Sequence, residues 1–136
     1  MTADLIPVQV RKSNIHGMGC FAAAPIDAET SIIEYTGELI DHTEAVRRAD
    51  RTYSKHSEYV LHIDGDVYVD GIAGSAARYE NHSCEPNCYL WAEGNRVFIR
   101  SLKPIQIGEE ITYDYMYDVE YREPCACNAP TCRGYI

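Results

Sequence analysis

Asn81-His82-Ser83-Cys84-Glu85-Pro86-Asn87 is the stretch on which the reading of this chain turns. It holds too many turn formers to be a regular element and reads as a loop. Cys84 and Cys88 flank Glu85-Pro86-Asn87. Downstream, Cys88 to Ala92 and Arg96 to Leu102 predict a hairpin around Glu93-Gly94-Asn95. Ile105 to Gly108 is a connection, and Ile111 to Tyr115 is a further strand. Upstream, Gly71 to Ser75 is a loop in which Ser75 caps a short helical turn carrying Arg78 and Tyr79. Glu58 to Ile63 and Val67 to Asp70 pair around Asp64-Gly65-Asp66, a good hairpin turn. Ser31 to Ile40 is rich in β-branched and aromatic residues and predicts one strand. Asp41 then caps a helix, with Glu44 three positions on, running through about Arg51. Pro7 to Val10 reads as an edge strand, and Ser13 to Gly19 as a turn whose glycines let backbone approach a ligand. Many short strands with one modest helix predict a mainly β domain of small sheets.

The chain has 136 residues, 46% hydrophobic and 24% charged, which is one domain of ordinary globular composition. No run of apolar residues is long enough to predict a transmembrane helix. The first residues lack an apolar signal core, so secretion by that route is not expected. Twelve basic residues stand against twenty-one acidic ones, a net charge of −9. Direct binding to duplex nucleic acid is not expected, since that affinity comes largely from neutralising phosphates. A Lys/Arg-rich protein is the favoured partner.

From about Asp118 the hydrophobic pattern stops, and the tail needs a staple to be ordered. Cys125, Cys127 and Cys132 crowd into it. Clustered thiols in a chain without a secretory signal point to structural zinc, which takes four tetrahedral ligands and favours thiolates. By residue type, Cys84 or Cys88 would complete the set. The competing readings are disulfides or buried apolar cysteines; Cys20 reads as core.

Five segments cohere in order: Ile15-His16-Gly17-Met18-Gly19, Glu34-Tyr35-Thr36-Gly37-Glu38, Arg78 through Cys88, Gly108-Glu109-Glu110-Ile111-Thr112-Tyr113-Asp114-Tyr115, and the terminal cysteine triad. Together they resemble the SET-domain protein lysine methyltransferases with a post-SET zinc tail, most closely the trithorax-like branch. The resemblance runs from about Val8 to Ile136. It implies a SET domain over 5–117 and a post-SET segment over 121–136. It also implies a fold of small sheets whose C-terminal segment passes beneath a loop as a pseudoknot, bringing Asn81-His82 beside Tyr113-Asp114-Tyr115. S-adenosylmethionine would be the methyl donor, and a lysine side chain the acceptor.

By that resemblance Tyr115 is the catalytic tyrosine. Tyr35 lines the lysine channel, and Tyr113 holds a water or the amine and restricts the product to mono- or dimethyl-lysine. His16, Gly17, Met18 and Gly19 approach the cofactor through backbone, with Tyr59, Arg78, Tyr79, Asn81 and His82 around it. Cys84, rather than Cys88, joins Cys125, Cys127 and Cys132 on zinc. Strand packing competes as a reading for Tyr35, Tyr59 and Tyr113, and a structural arginine for Arg78. Tyr135 would cover the adenine edge. Glu80 departs from the family, which carries an apolar residue there; a buried carboxylate needs a partner or water. The segment between Ser57 and Asn81 is short beside relatives with inserts, so a partner subunit or a second copy would share in holding the substrate.

The acidic residues Glu109, Glu110, Asp114, Asp118, Glu120 and Glu123, against the single Arg122, favour a basic peptide such as a histone tail if some of them line its groove. A catalytically silent, zinc-stabilised binding module is the alternative from another class; intact Tyr115, Asn81 and His82 argue against it. A methyltransferase for a metabolic or ribosomal protein is the alternative within the enzyme class. The small size, without reader domains or a basic localisation run, suggests a prokaryotic or viral source: cytoplasmic in a prokaryote, nuclear in a eukaryote or a host. The small core is compatible with a homodimer.

Overall fold

Four small sheets and one short helix make up the computed structural model, which describes residues 4–50, 56, 59–115 and 124–136. Val8–Lys12 (β1) and Met18–Ala22 (β2) form an antiparallel pair, register Val8↔Ala22 to Lys12↔Met18. The turn between them passes through Gly17 at φ +45°, a region that favours glycine. Strand β2 was not foreseen; its core contribution comes from small residues, Cys20 and Ala22. Cys20 is a core residue, as expected.

The expected strand over Ser31 to Ile40 is two strands in two sheets. Ser31–Glu34 (β3) belongs to the sheet ordered β3-β9-β8, built with Cys88–Glu93 (β8) and Arg96–Ser101 (β9). Glu38–Ile40 (β4) belongs to the sheet ordered β4-β6-β5, with Val60–Asp64 (β5) and Val67–Asp70 (β6). The physical reason is a backbone crossing. Gly37 lies so close to the Asp70 carbonyl that any Cβ would overlap it, and Gly74 packs the same way on the Thr36 carbonyl. Ser75 locks the crossing: its Oγ donates to the Glu34 carbonyl at 2.6 Å, and its N–H donates to Thr36 Oγ1 at 2.8 Å. Both expected hairpins are present.

Asp41 caps His42–Arg48 (α1), accepting from the Glu44 N–H at 2.9 Å. The helix stops at Arg48, short of the expected end. Arg48 is held across the structure by Asp70 and Glu38, each at 2.9 Å. Ser75 caps the 3-10 helix Ala76–Tyr79, as expected. The core is built on Ile32, Ile33, Ile99, Ile105 and Ile111, each under 2% exposed. Burying each contributes about 2 kcal/mol.

Residues 81–87, read as a loop, begin instead with a two-residue strand. Asn81–His82 (β7) pairs in parallel with Thr112–Tyr113 (β10), register Thr112↔Asn81 and Tyr113↔His82. The expected strand Ile111 to Tyr115 is reduced to that pair. Asn87 fastens it, donating from Nδ2 to the Glu110 carbonyl at 2.8 Å and accepting at Oδ1 from the Thr112 N–H at 2.9 Å. Turn formers here satisfy backbone groups of a neighbouring strand. Arg51, Ser57, Glu58, the boundaries at 117 and 121, and Asp118, Glu120, Arg122 and Glu123 lie outside the described residues.

Candidate active site

The pairing of β7 with β10 puts one wall on a cavity of about 370 Å³. That volume is within the range of small-ligand pockets. Its lining comes from the β1–β2 turn, Tyr59, Arg78 to His82, Tyr115, and the tail residues Pro124, Cys125, Ala126 and Ile136. Of the site residues singled out in the sequence, His16, Gly17, Met18, Tyr59, Arg78, Tyr79, Asn81, His82 and Tyr115 border it; Gly19, Tyr35 and Tyr113 do not. Ile136 borders it where Tyr135 was expected.

Asn81 is 7% exposed, and its Nδ2 donates toward the His16 and Met18 carbonyls, each at 3.1 Å, and toward Glu110 Oε2 at 2.8 Å. Three acceptors around one atom identify it as the amide nitrogen. Its Oδ1 has no protein partner among the described residues, so Asn81 can offer a ligand an acceptor, suited to an ammonium. His82 is buried; Nδ1 accepts from the Tyr115 N–H at 3.0 Å, and Nε2 lies 3.5 Å from Cys84 Sγ. Burial holds its pKa below the usual value against the opposing pull of Asp114, 3.4 Å from Nδ1, and acceptance at Nδ1 from the Tyr115 N–H puts the neutral ring's proton on Nε2.

The Tyr115 hydroxyl donates to the Glu80 carbonyl. Its ring stands edge-on to His82, centroids 5.4 Å apart, and tilted against Tyr113 at 4.9 Å. With the proton directed to Glu80, the phenol oxygen can act as an acceptor toward the cavity that Tyr115 borders. Tyr35 is 6% exposed and donates to the Tyr59 carbonyl at 2.8 Å. Gly71 packs against its phenol so closely that a Cβ would overlap the ring. Tyr113 is 8% exposed, in register with His82. Arg78 is both lining and structural: it donates to the Gly74 carbonyl and, at 2.7 Å, to the Tyr79 hydroxyl.

The Sγ atoms of Cys84, Cys125, Cys127 and Cys132 lie within 4.8 Å of one another. Cys84 is 3.9 Å from Cys125 and 4.0 Å from Cys132. Tetrahedral zinc with Zn–S bonds of about 2.3 Å requires sulfurs about 3.8 Å apart. The donor set and spacing therefore fit structural zinc. Desolvation works upward on Cys127, but backbone N–H groups of Cys84 and Ala129 and the neighbouring thiols outweigh it and hold the thiol at about 6, ready to serve as a thiolate. Cys88 is 1% exposed in the core and does not join the cluster. Arg133 ties the tail to the residue that follows β10, donating to both Asp114 oxygens at 2.8 and 3.0 Å.

Glu80 is 2% exposed, and neither carboxyl oxygen has a hydrogen-bond partner among the described residues. Burial, and then the nearby Glu110, push its pKa well above the ordinary 4.5. Burial, with Glu80 second, likewise raises the thiols of Cys20 and Cys88. The unfolded chain ionises Glu80 above its ordinary pKa while the folded chain does not, so stability is full below that value and falls as pH rises toward the folded pKa. Glu80→Leu is expected to stabilise the protein by about 2 kcal/mol near neutral pH. Chemical denaturation across pH checks this: the difference from wild type should grow from about pH 5 to 8.

Sequence reasoning missed Glu110 and Ser13 at this site. The sequence placed Glu110 in the Gly108-to-Tyr115 motif and among the acids suited to a basic peptide, and Ser13 at the start of the β1–β2 turn, with nothing to join either to Asn81.

A family model described as "SET domain" matches residues 17–116. The chain is 39% identical over 139 residues to "Histone-lysine N-methyltransferase trr" of Drosophila melanogaster, covering 95% of this chain and 6% of that protein. It is 43% identical over 133 residues to "Histone-lysine N-methyltransferase, H3 lysine-4 specific" of Schizosaccharomyces pombe, covering 91% and 14%. It is 40% identical over 137 residues to "Histone-lysine N-methyltransferase trithorax" of Drosophila virilis, covering 95% and 4%. The chain thus spans a small part of the length of each of these relatives.

Proposed function

The chain belongs to the SET-domain family, and from that membership we propose that it is a protein-lysine N-methyltransferase acting on a Lys/Arg-rich protein such as a histone tail. The observation that carries the reading is the meeting of the Tyr115 phenol with Asn81 and His82 on one cavity. The names of the similar proteins support a histone as substrate, and with it a nuclear site of action. The chain's acidic balance supports a basic target.

SET-domain methyltransferases use S-adenosylmethionine, which supplies an electrophilic methyl group on a sulfonium centre. Asn81 Oδ1 and the backbone of the β1–β2 turn would hold its amino-acid end. A lysine must reach the methyl as a neutral amine, although its ordinary pKa is ~10.4. An apolar channel and a neighbouring positive charge both disfavour the ammonium. The Tyr115 oxygen, an acceptor at the cavity, would orient the incoming amine toward the methyl donor. Tyr35 would wall the channel, and the zinc-held tail closes the cavity through Cys125 and Ala126.

Tyr113 sets the product in this reading: its hydroxyl holds a water or the amine and leaves too little room for a third methyl. The wild type is expected to yield mono- and dimethyl-lysine. Tyr113→Phe is expected to shift the product toward trimethyl-lysine with turnover within roughly threefold, about 0.7 kcal/mol. Mass spectrometry of a basic peptide at completion checks it, and abundant trimethyl-lysine from the wild type would contradict it. Equilibrium binding of S-adenosylmethionine to the zinc-loaded chain tests the cofactor assignment.

A further inference from the structure

Resting on that reading, we infer that Glu110 is a positioning residue for cofactor recognition, acting through Asn81. Glu110 comes from the loop before β10, outside the cavity lining. Its Oε2 accepts from Asn81 Nδ2 at 2.8 Å, and Ser13 Oγ lies 2.8 Å from each carboxylate oxygen, its one proton shared between them. Ser13 is itself placed by the Ile15 N–H, which donates to its Oγ at 2.9 Å. The β1–β2 turn, the loop before β10 and β7 therefore converge on one carboxylate.

The chemistry follows from the inventory of an amide. A carboxylate accepts and cannot donate, so beside it Asn81 must present nitrogen. The opposite rotamer would set Oδ1 against Oε2, two acceptors at hydrogen-bond distance. Glu110, at 2.8 Å the nearest of three acceptors around Nδ2 beside the His16 and Met18 carbonyls at 3.1 Å, thereby helps fix Asn81 Oδ1 as the face left for a ligand, an acceptor where an ammonium binds. Gly19 belongs to the same device. A Cβ at Gly19 would overlap Glu110 Oε2, so this glycine makes room for the carboxylate. That gives Gly19 a physical role although it does not border the cavity.

Two isosteres separate the effect from packing: Glu110→Gln keeps an acceptor oxygen for Asn81, and Glu110→Met does not. Binding of S-adenosylmethionine is measured by calorimetry on the zinc-loaded chain, with thermal melts as the folding control. Glu110→Met is expected to weaken binding roughly tenfold with kcat at saturating cofactor within about twofold, and Glu110→Gln to stay within roughly threefold of wild type. In an Asn81→Ala background the Glu110→Met loss should vanish, because the residue it acts through is gone. Equal binding by Glu110→Met and wild type overturns the inference, as does a loss that persists in the Asn81→Ala background. Should Glu110→Met not fold, Ser13→Ala serves instead: it removes the donor that orients the carboxylate, a loss of roughly two- to threefold is expected, and unchanged binding overturns the inference. A wild type that binds no S-adenosylmethionine overturns the functional reading itself, and the inference with it.

Discussion

Tyr115→Phe is expected to lower kcat by about 100-fold or more while leaving S-adenosylmethionine binding within a few-fold of wild type. The ring is held by things that phenylalanine keeps. It packs against His82 and Tyr113, and the residue's N–H donates to His82 Nδ1. Only the hydroxyl goes. That hydroxyl gives its proton to the Glu80 carbonyl, which turns its lone pairs into a fixed acceptor at the cavity. A preorganised dipole of this kind, out of bulk water, is typically worth about 3 kcal/mol of transition-state stabilisation. Ground-state affinity depends on other groups, so the loss should fall on kcat. Labelled-methyl transfer under saturating cofactor, with calorimetry in parallel, checks both halves. Equal losses in kcat and affinity would instead mean that the ring had moved.

Removal of zinc is expected to abolish turnover and to weaken S-adenosylmethionine binding by about 100-fold, while the isoleucine core stays folded. Structural zinc bound by thiolates contributes on the order of 10 kcal/mol to ordering its site. Here that site orders a tail with little core of its own: the tail's described residues are intermediate or exposed. The tail nevertheless supplies Pro124, Cys125, Ala126 and Ile136 to the cavity. A second route runs through His82, whose Nε2 lies against Cys84 Sγ while its Nδ1 accepts from Tyr115. Losing the metal would therefore remove a wall and loosen the imidazole that positions Tyr115. Cys132→Ser is expected to do the same at ordinary zinc concentrations. Stripping with a chelator and re-adding zinc should lose and restore activity together with tail protection in hydrogen exchange. Full activity of a verified zinc-free sample would contradict this.

Much of the site was legible because its chemistry sits in residue identity. Three thiols in eight tail positions announce a metal by themselves, whereas the choice of Cys84 over Cys88 and the role of Tyr115 came from family likeness. What could not be read was backbone meeting backbone. The split of residues 31–40 follows from Gly37 lying against Asp70 and Gly74 against Thr36, which are encounters between distant segments. The β7–β10 ladder has only two residue pairs, too short for any periodicity, and it is parallel, so its partner lies far along the chain. Its expected neighbourhood came from family likeness alone. Gly19 looked like a glycine for ligand approach, and its neighbour proved to be a carboxylate from elsewhere. Glu80 was legible as an anomaly, although only the fold shows that neither oxygen has a partner among the described residues.

The most direct measurement is incubation of the zinc-loaded chain with methyl-labelled S-adenosylmethionine and a panel of Lys/Arg-rich peptides, histone tails among them, with the label located by mass spectrometry. Label on a lysine side-chain nitrogen, its rate of incorporation cut about 100-fold or more with Tyr115→Phe and the label absent when that lysine is replaced by arginine, is the result expected. Tight binding of S-adenosylmethionine with no label on any peptide would contradict the account and mark the cavity as a silent binding site.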